Sequence, residues 1–217
     1  MANRPRKPKR KRIFLTRKAR RRRRLGRLAG IVLLIAGLGV FAQGAYIPAK
    51  AVVAQLLLER AWALSEQTGE PAKPWPWADT HPYAKVEIPR LNKSAIVLAG
   101  TSGEAMAFGP GHQYGTPAPG ERGTSIIGGH RDTHFAFLKH VKAGDLVTVS
   151  RAGAAPVSFR VTHMDIRHWN ESGIDPYAKG HKIALVTCYP FGSLGTTTLR
   201  YVVHAEKIDD RQANLKD

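Results

Sequence analysis

The 217-residue sequence predicts an all-β domain closed on itself, preceded by an apolar helix. Three observations carry that prediction. From Ala84 onward, short β-branched or apolar runs recur, each four to eleven residues long. Gly, Pro, Asn and Asp separate them, as turns between short strands require. No internal repeat and no alternation of strands with long helices is present, which argues against a parallel α/β sheet.

The elements follow in order. Residues 1–27 form a basic tail: 15 of the 34 Lys and Arg lie between Arg4 and Arg27, and the first acid is Glu59. Leu28 to Ile47 (LAGIVLLIAGLGVFAQGAYI) then carries no charge. It is about twenty residues long, which as a helix crosses a ~30 Å hydrocarbon core. Basic residues just ahead of such a span stay in the cytoplasm, so the remainder is expected outside it. A retained anchor is favoured over a cleaved signal peptide, although Ala42-Gln43-Gly44 resembles a cleavage site. The arginine pairs near Arg21 fit a twin-arginine signal poorly.

Residues 48–82 read as a stalk and linker. Ala51 to Gln67 has apolar residues at helical spacing and neither Gly nor Pro, which predicts an amphipathic helix. Glu70 to Pro82 (EPAKPWPWADTHP) is too rich in proline for regular pairing, and its tryptophans are expected to press on the domain. Strands are predicted at Lys85–Ile88, Ala95–Ala99, Thr124–Ile127, Leu146–Ser150, Val157–Met164, Lys182–Thr187 and Thr198–Ile208, with short helices near Ser102–Phe108 and Phe135–His140. These fill a domain over 83–210, and 211–217 form a C-terminal tail.

Charge narrows the function. Beyond Arg27 the chain holds 19 basic and 16 acidic residues, so nearly all of the formal +18 resides in the tail. A folded nucleic-acid-binding face would need that charge clustered on the domain. No nucleic-acid partner is expected.

Cys188 is the only cysteine, so the domain has no internal disulfide. Three segments around it suggest chemistry. In Gly123-Thr-Ser-Ile-Ile-Gly-Gly-His130-Arg-Asp-Thr-His134, a short strand runs into two glycines and delivers His130 at its end. Glycines there suit close backbone approach or positive φ. Ala184-Leu-Val-Thr-Cys188 reads as a buried strand ending at the thiol, and Thr198-Leu-Arg200-Tyr-Val-Val sets an arginine into an apolar strand. A thiolate nucleophile, a histidine that exchanges protons and a cation for a developing oxyanion together suit acyl transfer. On residue types alone, Cys188 also reads as an inert buried thiol, and Arg200 as one half of an ion pair.

GTSIIGGHRDTHF, LVTCYPF and LRYVV resemble the three signature regions of sortases over roughly Ala84 to Ile208. WADTHPYAKVEIPRL, LAGTSGEAMAFGPGH and GHRDTHFAFL most resemble the class GN branch of Gram-negative proteobacteria. The resemblance implies an eight-stranded sortase-like β-barrel with short helices. His130, Cys188 and Arg200 would line its cleft and be catalytic. Thr187 would lie beside the oxyanion region, with Asp132 orienting a neighbour. The family pattern Thr-Leu-x-Thr-Cys has Ala184 at its first position here.

The implied reaction is transpeptidation. An LPxTG-like signal near a client's C-terminus is cleaved through a thioester on Cys188 and passed to an amine acceptor, whose identity the sequence leaves open. The implied place is the inner membrane, N-terminus in the cytoplasm and domain in the periplasm, with the lipid bilayer as a partner of the anchor. A cysteine endopeptidase using water, and an exported β-barrel that only binds, are the other readings. No cofactor or metal is expected: HRDTH lacks the glutamate of a zincin, and no helix carries both His130 and His134.

Overall fold

The computed structural model describes residues 17–193 and 195–208. Most of the basic tail, and the tail at 211–217, lie outside them. The chain divides into two compact units, Met1–Lys50 and Ala51–Asp217.

Helix α1 (Arg17–Thr68) carries both expected helical segments, with Pro48 inside it. Proline removes one internal hydrogen bond without ending the helix here, where the sequence suggested two separate segments. The portion from Arg24 onward is long and apolar enough to cross a membrane, and none of its apolar window is buried in the protein. Exposed side chains such as Leu33, Val40 and Phe41 are compatible with anchoring in lipid.

In the second unit, Ala54, Leu58, Ala61, Trp62 and Ser65 of α1 are buried at helical spacing. Leu58 joins Leu98 and Ala105 in a small apolar cluster, with Ile96 and Phe108 packed against it. Trp75 packs edge-on to Phe108 with ring centroids 5.1 Å apart, whereas Trp77 is 80% exposed. The expectation for the linker therefore holds for one of these two tryptophans. Pro74 and Ala78 are buried around them, and Trp77 is left on the outer side of the turn.

The strands are β1 (Pro82–Ile88), β2 (Lys93–Ala99), β3 (Gly111–His112), β4 (Gly123–Gly128), β5 (Leu146–Ser150), β6 (Val157–His168), β7 (His181–Tyr189) and β8 (Leu199–Lys207). They close in the order β1-β2-β3-β4-β7-β8-β6-β5. Every strand has a neighbour on each side, although β3 covers only the last two residues of β2 and the last two of β4. The pairs β2–β3 and β4–β7 are parallel, and the other six are antiparallel. Helix α2 (Gly103–Met106) and a 3-10 turn at Ala136–His140 occupy the two places expected for short helices.

Alternation builds the core. In β1, Ala84, Val86 and Ile88 point inward, and they meet Val147 and Val149 of β5, Ile183 and Leu185 of β7, and Val203 and Ala205 of β8. Phe135 and Leu138 complete the same core from the 3-10 turn. Each buried aliphatic or aromatic side chain contributes roughly 1.5–3 kcal/mol by leaving water.

Strand β3 escaped the sequence reading because two residues carry no period. Its register depends on close backbone approach: a Cβ on Gly111 would stand 2.0 Å from the Gly100 carbonyl oxygen. His112 is buried there, stacked on Tyr83 with ring centroids 4.5 Å apart. Strand β6 outruns its expected end at Met164 because Asp165–His168 pair with β8, although all but Ile166 are polar.

Candidate active site

Cys188 is the penultimate residue of β7, and its antiparallel partner in β8 is Arg200. Directly paired residues project to the same face with Cβ atoms about 4.5–5.5 Å apart. Both side chains are half-buried, at the end of the barrel where the β7–β8 connection begins.

The third predicted residue arrives through β4. That strand runs parallel to β7, with Gly128 opposite Val186. One residue further, Gly129 N–H donates to the Val186 carbonyl at 3.0 Å. The Thr187 hydroxyl donates to the Gly129 carbonyl at 2.7 Å. These two bonds bring the chain entering His130 alongside the last residues of β7. His130 itself is exposed.

Gly129 meets its neighbours too closely for any side chain. A Cβ there would lie 2.8 Å from Phe135 Cδ2 and 3.1 Å from Pro110 Cβ. Phe135 is fully buried and has no space to withdraw. Of the two possibilities that the paired glycines raised, close approach is the one found at Gly129.

Strand alternation directs Thr187 away from the face of Cys188. Its hydroxyl is committed to Gly129, and the residue is 2% exposed. Asp132 accepts from Arg131 Nε at 3.0 Å and from the Gly192 N–H at 3.3 Å. The neighbours that Asp132 orients are therefore Arg131 and the β7–β8 connection. His134 lies half-buried beside the Ala107 backbone and His130; burial first, then His130, lowers its pKa below the ordinary histidine value.

The sequence reading missed Arg131. Its side chain is buried, and Nη2 donates to the Ser193 carbonyl and, at 3.0 Å, to that of Gly195. Together with the bond from Nε to Asp132 these partners offset the burial of two of its three nitrogens, while Nη1 is buried without a partner among the described residues. Arg131 and Asp132 together hold the connection between Cys188 and Arg200 from the histidine side. An Arg-Asp pair directly after His130 was visible, but its carbonyl partners lie some sixty residues away.

Arg200 Nη1 donates to the carbonyls of Thr197 at 3.0 Å and Leu199 at 2.9 Å. Among the described residues no carboxylate is paired with it. Within the same connection the Thr197 hydroxyl donates to the Tyr189 carbonyl, and Phe191 packs edge-on to Tyr201 at 5.3 Å between centroids. A half-buried thiol facing a guanidinium without a carboxylate partner, with a histidine delivered alongside, is an arrangement suited to acyl transfer.

A closed mixed barrel carrying this constellation defines the class, and comparison with known proteins specifies it. The Sortase domain family model matches residues 86–208, more than half of the chain. The chain belongs to the sortase family. Sortase D of Bacillus subtilis is 27% identical over 127 residues, which are 57% of this chain and 62% of that protein. The chain thus spans less than two thirds of the length of that relative. Among solved structures, sortase A from Corynebacterium diphtheriae is similar with a TM-score of 0.56 at 24% identity, covering 65% of this chain and 66% of that one. Sortase C-1 from Actinomyces oris is similar with a TM-score of 0.54 at 26% identity, covering 59% and 73%.

Proposed function

We propose that this chain is a membrane-anchored cysteine transpeptidase acting on an LPxTG-like signal near the C-terminus of a client protein. The Cys188 thiolate attacks the scissile carbonyl carbon, and the oxyanion that forms is met by the Arg200 guanidinium. His130 donates a proton to the departing amine as the C–N bond breaks, leaving the client as a thioester on Cys188. An acceptor amine then attacks the thioester, gives a proton back to His130 and releases Cys188 as the thiolate. The observation that carries this reading is the register of Cys188 with Arg200, combined with the exit of β4 toward His130 beside β7. Membership of the sortase family supports the reaction class.

Thr187 and Asp132 act in this reading as positioning residues, through Gly129 and Gly192 respectively. The basic residues before the apolar span favour a cytoplasmic N-terminus and a catalytic domain beyond the inner membrane. The class GN resemblance favours the periplasm.

The test uses the full chain in detergent with an LPxTG-containing peptide and a small primary amine. Intact-mass measurement should find an acyl adduct on Cys188 and an amide product with the amine. Folded Cys188→Ala should yield neither. Adduct with hydrolysis alone would assign a peptidase, and turnover by folded Cys188→Ala would end the covalent mechanism.

A further inference from the structure

On β8, four residues beyond Arg200 and on the same face of the sheet, His204 stands opposite His163 of β6. Their imidazole rings are stacked, with centroids 4.4 Å apart and planes 9° from parallel. Asp165 projects from the same face of β6 and brings Oδ1 to 3.3 Å from His204 Nε2. One ligating atom from each of the three residues lies within 4.8 Å of the other two. Neither the sequence motifs nor the acyl-transfer chemistry accounts for this grouping.

Neighbouring side chains present the three as ligands. The Thr162 hydroxyl donates its one hydrogen to the His204 carbonyl at 3.1 Å, and the same oxygen lies 3.0 Å from His163 Nδ1. With its hydrogen spent, Thr162 accepts from Nδ1–H, so a neutral His163 keeps the lone pair on Nε2. Arg167 Nε holds Asp165 Oδ2 at 2.9 Å, which leaves Oδ1 on the side of His204. Partners of this kind fix the tautomer of a ligating histidine and the orientation of a ligating carboxylate. His163 and His204 also border a cavity of about 150 Å³ that includes Asp175 and Glu206. That volume admits several waters as remaining ligands.

Two imidazoles and a carboxylate suit zinc and its first-row neighbours, while calcium and magnesium prefer all-oxygen sets. At Zn–N distances of about 2.0–2.1 Å, ligand atoms of a tetrahedral site lie about 3.3 Å apart. The stacked rings are nearly parallel, so sharing one ion requires them to turn about their side-chain torsions as well as to draw together, which leaves the paired strands that carry them in place. We propose that His163, Asp165 and His204 form a binding site for a divalent transition-metal ion, zinc foremost, with the fourth position open to solvent. Such an ion would fasten β6 to β8, the strand that bears Arg200.

The test uses the full chain in detergent, without a histidine tag, as Cys188→Ala so that the thiol cannot serve as a ligand. Cobalt(II) titration of the metal-free protein should give one equivalent per chain with the visible absorption of a four-coordinate site, and zinc should displace it. His163→Gln and His204→Gln should each weaken zinc binding more than 10-fold. Thr162→Val, which leaves all three ligands in place, should weaken it about 10-fold. Zinc should raise the melting temperature of the parent, and by less in each variant. Failure to bind one equivalent, or equal affinity in the parent and both histidine variants, would overturn the site.

Discussion

Cys188 and Arg200 are cross-strand partners at the ends of β7 and β8, so their side chains leave the sheet side by side. The guanidinium is tied to carbonyls within its own connection, and no described carboxylate competes for it. In the proposed reaction its charge would be available to negative charge that develops at the paired residue.

Replacing Arg200 tests that relationship. Lysine keeps the charge and loses the planar fork. Arg200→Lys and Arg200→Ala are expected to lower turnover about 10²–10³-fold, or ~2.7–4 kcal/mol, typical of removing one oxyanion donor. Peptide affinity and melting temperature should change little, because the side chain is only half-buried. Near-normal turnover per folded molecule, with a lowered melting point, would make Arg200 a structural residue instead.

Arg131 carries a different expectation. Arg131→Met would leave the Ser193 and Gly195 carbonyls without their donor and Asp132 without its cation. The connection should loosen, so limited proteolysis within residues 190–198 should accelerate and turnover should fall. Thiol alkylation of Cys188 should persist, since no bond to the thiol is removed. Unchanged proteolysis would show that the clamp contributes little.

The paired glycines should respond unequally. A Cβ at Gly129 would crowd fully buried Phe135, whereas one at Gly128 would find its nearest neighbour, Thr101 Cγ2, at 3.9 Å. Gly129→Ala should cost about 1–3 kcal/mol, as overpacking does, and should displace His130. Gly128→Ala should be nearly neutral. Thermal melts of the two variants, alongside turnover, decide the matter; equal effects would contradict the packing argument.

Asp145 provides a pH signature distant from the thiol. Arg90 donates to both of its oxygens, at 2.5 Å and 2.8 Å, and the Lys142 N–H donates at 2.9 Å. The hydrogen bonds from Arg90 hold the carboxyl below the ordinary aspartate value, outweighing the opposite effect of burial. A depressed folded-state pKa contributes stability above the unfolded value of about 3.9, lost as pH falls through the lower folded one. Denaturant titrations of the wild type from pH 6 downward should therefore show stability declining below about pH 4. Asp145→Asn should be less stable at pH 6 and flatter with pH. Parallel pH profiles for the two would exclude this pair as a source of acid sensitivity.

Much of the fold was legible because strand signals are local. Seven of the strands were anticipated from alternation and turn residues, with Leu146–Ser150 matching end to end. What escaped lacked local pattern: Gly111–His112 is too short for a period, and Asp165–His168, with Ile166 its one apolar residue, shows its strand character only when β8 lies beside it. Trp75 and Trp77 look equivalent in sequence, yet packing on Phe108 distinguishes them.

By itself the sequence determined the alternating apolar faces, the charge-free span after a basic run, and the residue types at His130, Cys188 and Arg200. Each depends on side chains a few positions apart, and chain periodicity brings such neighbours together without reference to the rest of the molecule. Only the tertiary structure decided that β4 runs parallel to β7, that Cys188 faces Arg200, and that Arg131 reaches across to Ser193 and Gly195. It alone gathered His163, Asp165 and His204 from two strands onto one face. Register between distant strands is set when the whole barrel closes and buries one face of each, a condition that no local segment contains.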